Sequence, residues 1–469
     1  MQEVEFSPLP LDRFEGILDA ERYREFARVM ERAAECFRGR TLWSINSAAR
    51  GGGVAEMLTS IMGYVAGADI DARWLVIEGD DEFFALTKRI HNRLHGESGD
   101  GESLEEADRR TYERCLEPSA RELKDRVGGD DVVLVHDPQP AGLIPVAGAT
   151  GATVVWRCHI GVDDPNKTVR ETWEFLRPYV TEADATVFSR RAYVWSGLNG
   201  LAEVIMPSID AFSSKNQTLD PPAVSAILRR AGVVAEPSDG RPEYVRADGT
   251  RAAVDREAVM VEDEPVPPSA PLVAQVSRWD RLKDPVGVLR GFAEHVAGGT
   301  DAHLLLAGPR VEGVTDDPEE EKAFGEVDQA RRDLPGDERA RVHLALLPIE
   351  DDEENSAIVN ALQRRADVVV QKSLAEGFGL TVAEAMWKGK PVVAAKVGGI
   401  QDQIVHDECG LLIEDPADLS AFGESVTQLL EDPERSDRLG RAAHERVSGE
   451  FLPSRHLRQY VELLARWRP

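Results

Sequence analysis

Short, almost continuous apolar runs alternate along the chain with longer stretches whose apolar residues return every three or four positions. The first kind includes TLWSIN (41–46), ARWLVI (72–77), VVLVHD (132–137), TVVWRCH (153–159), ATVF (185–188) and AEVIMPS (202–208). The second kind includes a lead-in over about 20–38, VAEMLTSIMGYV behind the glycine run 50–53, and FFALTKRIHNRLHG. Runs of that length predict buried strands and the longer pattern predicts helices, so the order describes a parallel sheet with helices on both faces. From about 213 to 270 the rhythm stops. PSDGRPEYVRADGTRAAV offers Asp248-Gly249 as a hairpin turn, and the acidic, proline-rich VEDEPVPPSAP follows. Alternation then restarts with LVAQVS (272–277), HLLLAG (303–308), RVHLALLP (341–348), DVVVQK (367–372), PVVAAKV (391–397) and CGLLIE. The amphipathic RHLRQYVELLARW (455–467) closes the pattern and is expected to pack back on the first domain.

The predicted fold is therefore α/β, with two Rossmann-like, doubly wound domains facing each other across a cleft. Its predicted parts are a helical extension over 1–40, a first domain over 41–215 and a linker with an inserted hairpin over 216–270. A second domain over 271–450 and a final helix over 451–469 complete it. Doubly wound sheets bind ligands beyond the carboxyl ends of their strands. Loops after strands are thus where chemistry is sought.

At 469 residues, with 42% hydrophobic and 30% charged positions, the chain suits two globular domains. The formal net charge of −29 argues against nucleic acid or an anionic membrane as partner. Any site for an anion must then be a local cluster of cations and backbone N–H groups. No apolar run approaches the ~20 residues of a membrane span, and MQEVEFSPLPLDRFEG lacks the basic start and apolar stretch of a secretory signal. Cytoplasmic residence is the expectation. Cys36, Cys115, Cys158 and Cys409 are scattered without CxxC or metal-ligand spacing, so reduced, mostly buried thiols and no bound metal are expected.

Among the loops, SLAEGFGLTVAEAMWKGKPVVAA (373–395) carries most information. Gly377 and Gly379 let the chain turn and let a ligand approach the backbone. A helix starting near Leu380 directs free N–H groups at the same place, which suits phosphate. Glu376 can accept hydrogen bonds from sugar hydroxyls, and Glu384, eight residues on, can take a second hydroxyl-bearing group such as a ribose. Either glutamate alone reads better as a solvated side chain; the pair within EGFG and its flanking strands reads better as functional. Eight helical residues put the two on the order of 12 Å apart, against about 5–5.5 Å or 6.5–9.5 Å for the carboxyl pairs of glycosidases. The pair fits neither spacing well, which argues against hydrolysis.

SRWDRLKDP (277–285) follows the strand LVAQV and brings Arg278 and Lys283 to its carboxyl end, where they can converge on a diphosphate. Fixed cations there stabilise the charge that grows on a departing nucleoside diphosphate. INSAARGGGVAE (45–56) is a glycine loop between strand and helix, an anion cradle, but without the GxGxxG spacing of a dinucleotide site. His136 and His159 each end a strand and can reach the cleft; a lone histidine is as often structural. No HExxH or GxSxG is present, and no Cys–His pair is defensible as a catalytic dyad.

EGFGLTVAE resembles the E-x7-E motif of retaining GT-B glycosyltransferases, and SRWDRLKDP resembles their donor-phosphate motif. WSINSAARGGGVAEML, RWLVIEGDDEFFALTKRIHNRLHG, VHDPQPAGL, WRCHIG, VFSRRAYV, MPSIDAFSSKN and VGGIQDQIVH look like the trehalose glycosyltransferring synthases and their relatives, the retaining trehalose phosphorylases. The resemblance spans most of 41–430. It implies that the first domain takes the acceptor and the second the donor nucleotide. Arg278 and Lys283 would hold the donor diphosphate. Glu376, with Gly377, Phe378, Gly379, Leu380 and Thr381, would hold the transferred glucose and phosphate, and Glu384 the ribose. It implies further that His159 touches the glucosyl unit near its anomeric carbon, and that the Gly51, Gly52 and Gly53 loop closes over donor and acceptor. Asn46, Arg50, Asp137 and Gln139 become candidates for acceptor glucose. Ser44 stands where relatives often carry His, and the 230–265 hairpin is longer than in many of them.

The function implied is reversible, retaining transfer of glucose from ADP- or UDP-glucose to glucose, giving trehalose. The leaving phosphate oxygen would help to deprotonate the acceptor, so no protein nucleophile is named. No tightly bound cofactor is expected, though stimulation by magnesium and a homodimer are compatible with the sequence. A trehalose phosphorylase, a synthase with another acceptor, and a non-catalytic sugar-nucleotide sensor are the competing readings.

Overall fold

The computed structural model describes residues 1–97, 103–198, 200, 202–234, 240–311 and 318–466. The start of the expected hairpin segment (237–239) and the end of the expected last helix (467) lie outside them. The chain forms two compact units, Met1–Ser208 with Phe451–Pro469, and Ile209–Glu450.

The first unit is built on seven strands: β1 (Gln2–Val4), β2 (Thr41–Asn46), β3 (Asp71–Val76), β4 (Val132–His136), β5 (Thr153–Cys158), β6 (Ala185–Phe188) and β7 (Ala202–Val204). Their spatial order is β1-β3-β2-β4-β5-β6-β7. β1 is antiparallel to β3, whereas the other neighbours run parallel. Every residue of β4 and β5 is buried, as a sheet covered on both faces demands. Side chains alternate between two apolar layers. Ile45, Leu75, Val133 and Trp156 pack in one; Trp74 and Val76 pack with Leu58 and Met62 of the helix Gly52–Gly67 in the other.

The second unit carries a two-stranded hairpin, β8 (Glu243–Val245) and β9 (Arg251–Ala253), and a second seven-stranded sheet. That sheet comprises β10 (Val259–Val261), β11 (Leu272–Val276), β12 (His303–Pro309), β13 (Val342–Leu347), β14 (Val368–Gln371), β15 (Val392–Ala395) and β16 (Leu411–Ile413). The order is β10-β13-β12-β11-β14-β15-β16, with β10 antiparallel and the rest parallel.

Three expectations about organisation change. Residues 1–40 are no mere extension: β1 completes the first sheet, and Phe14 is fully buried against Phe26 and Tyr64. Three residues, QEV, carry too little pattern to announce an edge strand. The stretch 216–270 is not a free linker either. Its helix Pro221–Arg230 packs on the helix Asp352–Arg365 through Ile227 and Leu228, and β10 pairs with β13, so it is integral to the second unit. The division falls after Ser208 and not at 215. The Asp248-Gly249 turn does join β8 to β9, with Gly249 at φ 84°. The helix Pro453–Leu464 belongs to the first unit; Arg455 donates to the carbonyls of Met206 and Pro207 at 2.8 and 2.9 Å.

Among the parallel strands of each sheet the chain reverses its direction of travel once. In the first unit it moves from β2 out to β3, then returns to lay β4 on the other side of β2. In the second it moves from β11 through β12 to β13 and returns to lay β14 beside β11. The carboxyl ends of the β2/β4 and β11/β14 pairs are the switch points of the two sheets, the places where doubly wound sheets bind ligands.

Candidate functional site

At the second unit's switch point, SRWDRLKDP leaves β11 and SLAEGFG leaves β14. Asp280 caps a short 3-10 turn, Arg281–Lys283, by accepting from Leu282 N at 2.8 Å. Gln275 donates to the Lys283 carbonyl at 2.8 Å. The two loops are tied together: Leu374 N donates to Leu282 O at 2.7 Å, and buried Lys372 pairs with Asp284 while donating to Pro416 O at 2.6 Å. Asp284 accepts this left-handed position, φ 50°, and caps the helix Pro285–His295. This frame places Lys283 Nζ 2.6 Å from Glu376 Oε2. Both side chains keep some exposure, 20% and 10%, so the pair lies at a surface that a ligand can reach.

Next to Glu376 the chain turns through Gly379 at φ 86°, the N-cap of the helix Leu380–Trp387, where no side chain caps the N–H groups. A Cβ on Gly379 would sit 3.1 Å from Ile400 Cγ1 and 3.2 Å from Glu376 Cγ. Gln403 holds the turn from behind by donating to the carbonyls of Phe378 and Gly379. Thr381 reaches back to Gln371 Oε1 at 3.4 Å. One turn into the helix, Glu384 is 1% exposed, with Lys215 Nζ 3.7 Å from its Oε1. Lys388 Nζ, also buried, donates to Asn216 Oδ1 at 2.8 Å. Lys215 and Asn216 come from MPSIDAFSSKN.

Arg278 departs from expectation. It is 57% exposed and engages Glu320 Oε1 at 3.1 Å and Asp280 Oδ2 at 3.6 Å. The structure therefore brings Lys283 to the glycine turn and gives Arg278 acidic partners instead. Sequence spacing could not foresee this, because Glu320 lies 42 positions away.

The first unit's switch point lies beyond β2 and β4. β2 ends at Asn46, and the glycine loop follows with Gly51 and Gly52 at φ 75° and 79° before the helix Gly52–Gly67. Gly53 is exposed at its first turn, as is Arg50, which makes no hydrogen bond or ion pair among the described residues. Asn46 is committed elsewhere: it donates to Ala48 O at 2.7 Å and accepts from Trp74 Nε1 at 2.8 Å, shaping the loop more than facing a ligand. After β4, Asp137 adopts φ 65°, and its Oδ1 accepts from His159 N at 2.7 Å. Burial pushes its carboxyl up to about 7. Gln139 Oε1 is buried with no hydrogen-bond partner among the described residues.

The histidines that end β4 and follow β5 lie together. Ser44 Oγ is 3.0 Å from His136 Nε2, and His136 Nδ1 is 3.3 Å from His159 Nε2, with the rings stacked at 5.6 Å. Burial, aided by the positive charge of Arg157, pulls His136 down to about 3 and His159 well below its ordinary value. Arg157 is wholly buried, donating to carbonyl oxygens of Phe188 and Ile205. The sequence marked both histidines singly; their junction through Ser44, 92 positions away from His136, was invisible.

Of the four cysteines, all free, only Cys158 and Cys409 are buried; Cys36 is exposed and Cys115 half-buried. Among the described residues no group of three or more His, Cys, Asp and Glu is placed to hold a metal, and no helix is long and apolar enough to cross a membrane.

Residues 44–195 match the trehalose synthase N-terminal domain, and 256–446 match glycosyl transferases group 1. A trehalose synthase of Pyrococcus horikoshii is 36% identical over 458 residues, covering 97% of this chain and 95% of that protein. A trehalose phosphorylase of Grifola frondosa is 25% identical over 428 residues, 86% of this chain and 54% of that one. Among solved structures, an alpha,alpha-trehalose-phosphate synthase (UDP-forming) from Burkholderia xenovorans aligns over 91% of this chain and all of that one, with TM-score 0.66 and 15% identity. That likeness identifies the architecture as the GT-B class of paired Rossmann-like units.

Proposed function

Because the chain belongs to the trehalose synthase family of group 1 glycosyltransferases, we propose that it moves glucose reversibly from a nucleoside-diphosphate-glucose to glucose, forming trehalose with retained configuration. One observation carries this reading: Lys283 Nζ lies 2.6 Å from Glu376 beside an uncapped helix N-terminus at the switch point. In an otherwise acidic molecule, that arrangement combines a cation and a helix N-terminus for phosphate with a carboxylate for sugar hydroxyls.

On this reading the donor diphosphate takes Lys283 and the amides of Gly377 to Leu380, with Arg278 recruited from its pairing with Glu320. Glu376 holds the hydroxyls of the transferred glucose, and Glu384 takes the ribose in exchange for Lys215. His159, Asp137, Gln139 and Arg50 serve the glucosyl unit and acceptor. As the glycosidic bond breaks, charge accumulates on the leaving phosphate, where fixed donors lower the barrier. That same oxygen accepts the acceptor's hydroxyl proton. No side chain is required to form a covalent intermediate, and positioning supplies the remainder. ADP- and UDP-glucose are both admissible donors.

Incubation with trehalose plus ADP or UDP, and separately plus inorganic phosphate, tests the proposal. Nucleotide-sugar formation is expected. Glucose 1-phosphate formed only with phosphate would overturn it in favour of a phosphorylase.

A further inference from the structure

Ser44 is completely buried, and among the described residues its hydroxyl has one partner, His136 Nε2 at 3.0 Å. A buried hydroxyl has one proton to place. If it donates to His136, nothing is left unsatisfied; in the opposite sense its proton has no acceptor, at a cost of about 1–3 kcal/mol. Donation by Ser44 makes Nε2 of His136 an acceptor. Burial keeps that ring neutral, so its single proton lies on Nδ1. Nδ1 faces His159 Nε2 at 3.3 Å, and two facing ring nitrogens cannot both carry protons. His159 Nε2 must then accept, which leaves its own proton on Nδ1.

We propose that Ser44 and His136 are positioning residues that hold His159 as the Nδ1–H tautomer, so that it meets a sugar oxygen as a hydrogen-bond donor and not as a base. The chain runs in one direction, from strand β2 through β4 to the residue after β5. Its second fastening is the His159 backbone, whose N–H is held by Asp137 Oδ1 at 2.7 Å. Ring and backbone are thus fixed by separate contacts, and rotation of the imidazole would break one without relieving the other. Nδ1 of His159 has no protein partner among the described residues, which leaves it for the substrate. The contact with a sugar rests on the function proposed above; the tautomer does not.

Histidine-selective 15N labelling of the ligand-free protein reads the tautomer directly, with His159→Gln identifying the signal. A protonated Nδ1 and unprotonated Nε2 are expected at His159, and the reverse pattern would overturn the proposal. In Ser44→Ala the constraint is lifted, so the two tautomers should mix and kcat should fall about 10-fold with donor KM unchanged, the loss of one aligned hydrogen bond. Ser44→Thr, which keeps the hydroxyl, should restore both. An unchanged spectrum in Ser44→Ala, or a changed spectrum with full turnover, would also overturn it. Should Ser44→Ala fail to fold, the unsubstituted protein's spectrum still decides the tautomer. Absence of any glucosyl transfer would sink the proposed function while leaving the spectral result to stand or fall by itself.

Discussion

In the first unit the strands at and beside the switch point bring together the hydroxyl of Ser44 and two histidines kept neutral by burial, His136 and His159; in the second the loops after the strands carry Lys283 against Glu376. The wiring is otherwise close. Each sheet has seven strands, one antiparallel edge and one reversal of direction among its parallel strands. Each also uses an aspartate in the left-handed region to join adjacent strand ends, Asp137 to the His159 amide and Asp284 to Lys372. Topology supplies a switch point in both units. What differs is the buried chemistry, and on the proposed function it divides the work: neutral donors and acceptors suit sugar hydroxyls, whereas a cation beside a helix N-terminus suits phosphate.

The largest test of that division removes the cation. Lys283→Ala should lower kcat about 100- to 1,000-fold, the range for losing one group that stabilises developing charge, with little change in acceptor KM. Steady-state kinetics with varied glucose checks this. A rise in acceptor KM with kcat preserved would place Lys283 on the wrong side of the comparison.

Acidification should separate the units next. His136, His159 and His456 in the first unit are all depressed by burial. Unfolded histidines bind protons below about 6.5, so this stability is present above that pH and is lost as pH falls toward the folded values. Asp137, raised to about 7, works oppositely: its ionised form is disfavoured in the fold, and acid relieves that burden. Three losses against one gain leave about two protons, each worth about 1.4 kcal/mol per pH unit. In the second unit His303, lowered to about 4, is the one histidine with a resolved depression among the described residues. Hydrogen exchange between pH 6.5 and 4.5 should therefore find the first unit opening before the second. Simultaneous opening, or the reverse order, would refute the assigned protonation states.

How much of this was legible beforehand follows from the range of the signals. Strands such as 41–46 and 185–188 coincide with the observed Thr41–Asn46 and Ala185–Phe188, because continuous apolar runs report burial locally. β1 and β10 were missed, since three-residue edge strands owe their structure to a neighbour and not to their own pattern. At the site, Glu376, Lys283 and the positive-φ glycine were readable from loop position. Lys372, Asp284 and Lys215 were not, and Ser44 stood out only as a departure from its relatives, because each acts through a partner far along the chain that only the fold brings near. Arg278 shows the converse: local spacing suggested convergence, and a distant glutamate claims the side chain.

The smallest effects come from the two glycine turns, and they sharpen the comparison most finely. Gly379→Ala and Gly52→Ala both force a Cβ into the left-handed region, φ 86° and 79°, which costs about 1–3 kcal/mol for a non-glycine residue. At Gly52 the added carbon meets nothing within 4 Å, so the backbone term stands alone. At Gly379 it also presses on Ile400 and on the side chain of Glu376, both within 3.2 Å. Both variants should lose comparable stability by thermal denaturation. Only Gly379→Ala should then lose donor binding and turnover beyond that, because only there does the carbon displace a group assigned to the sugar. Equal activity losses in the two variants would mean that the glycine loop of the first unit is as closely engaged with the donor as the turn around Glu376, and that the division of labour by charge is incomplete.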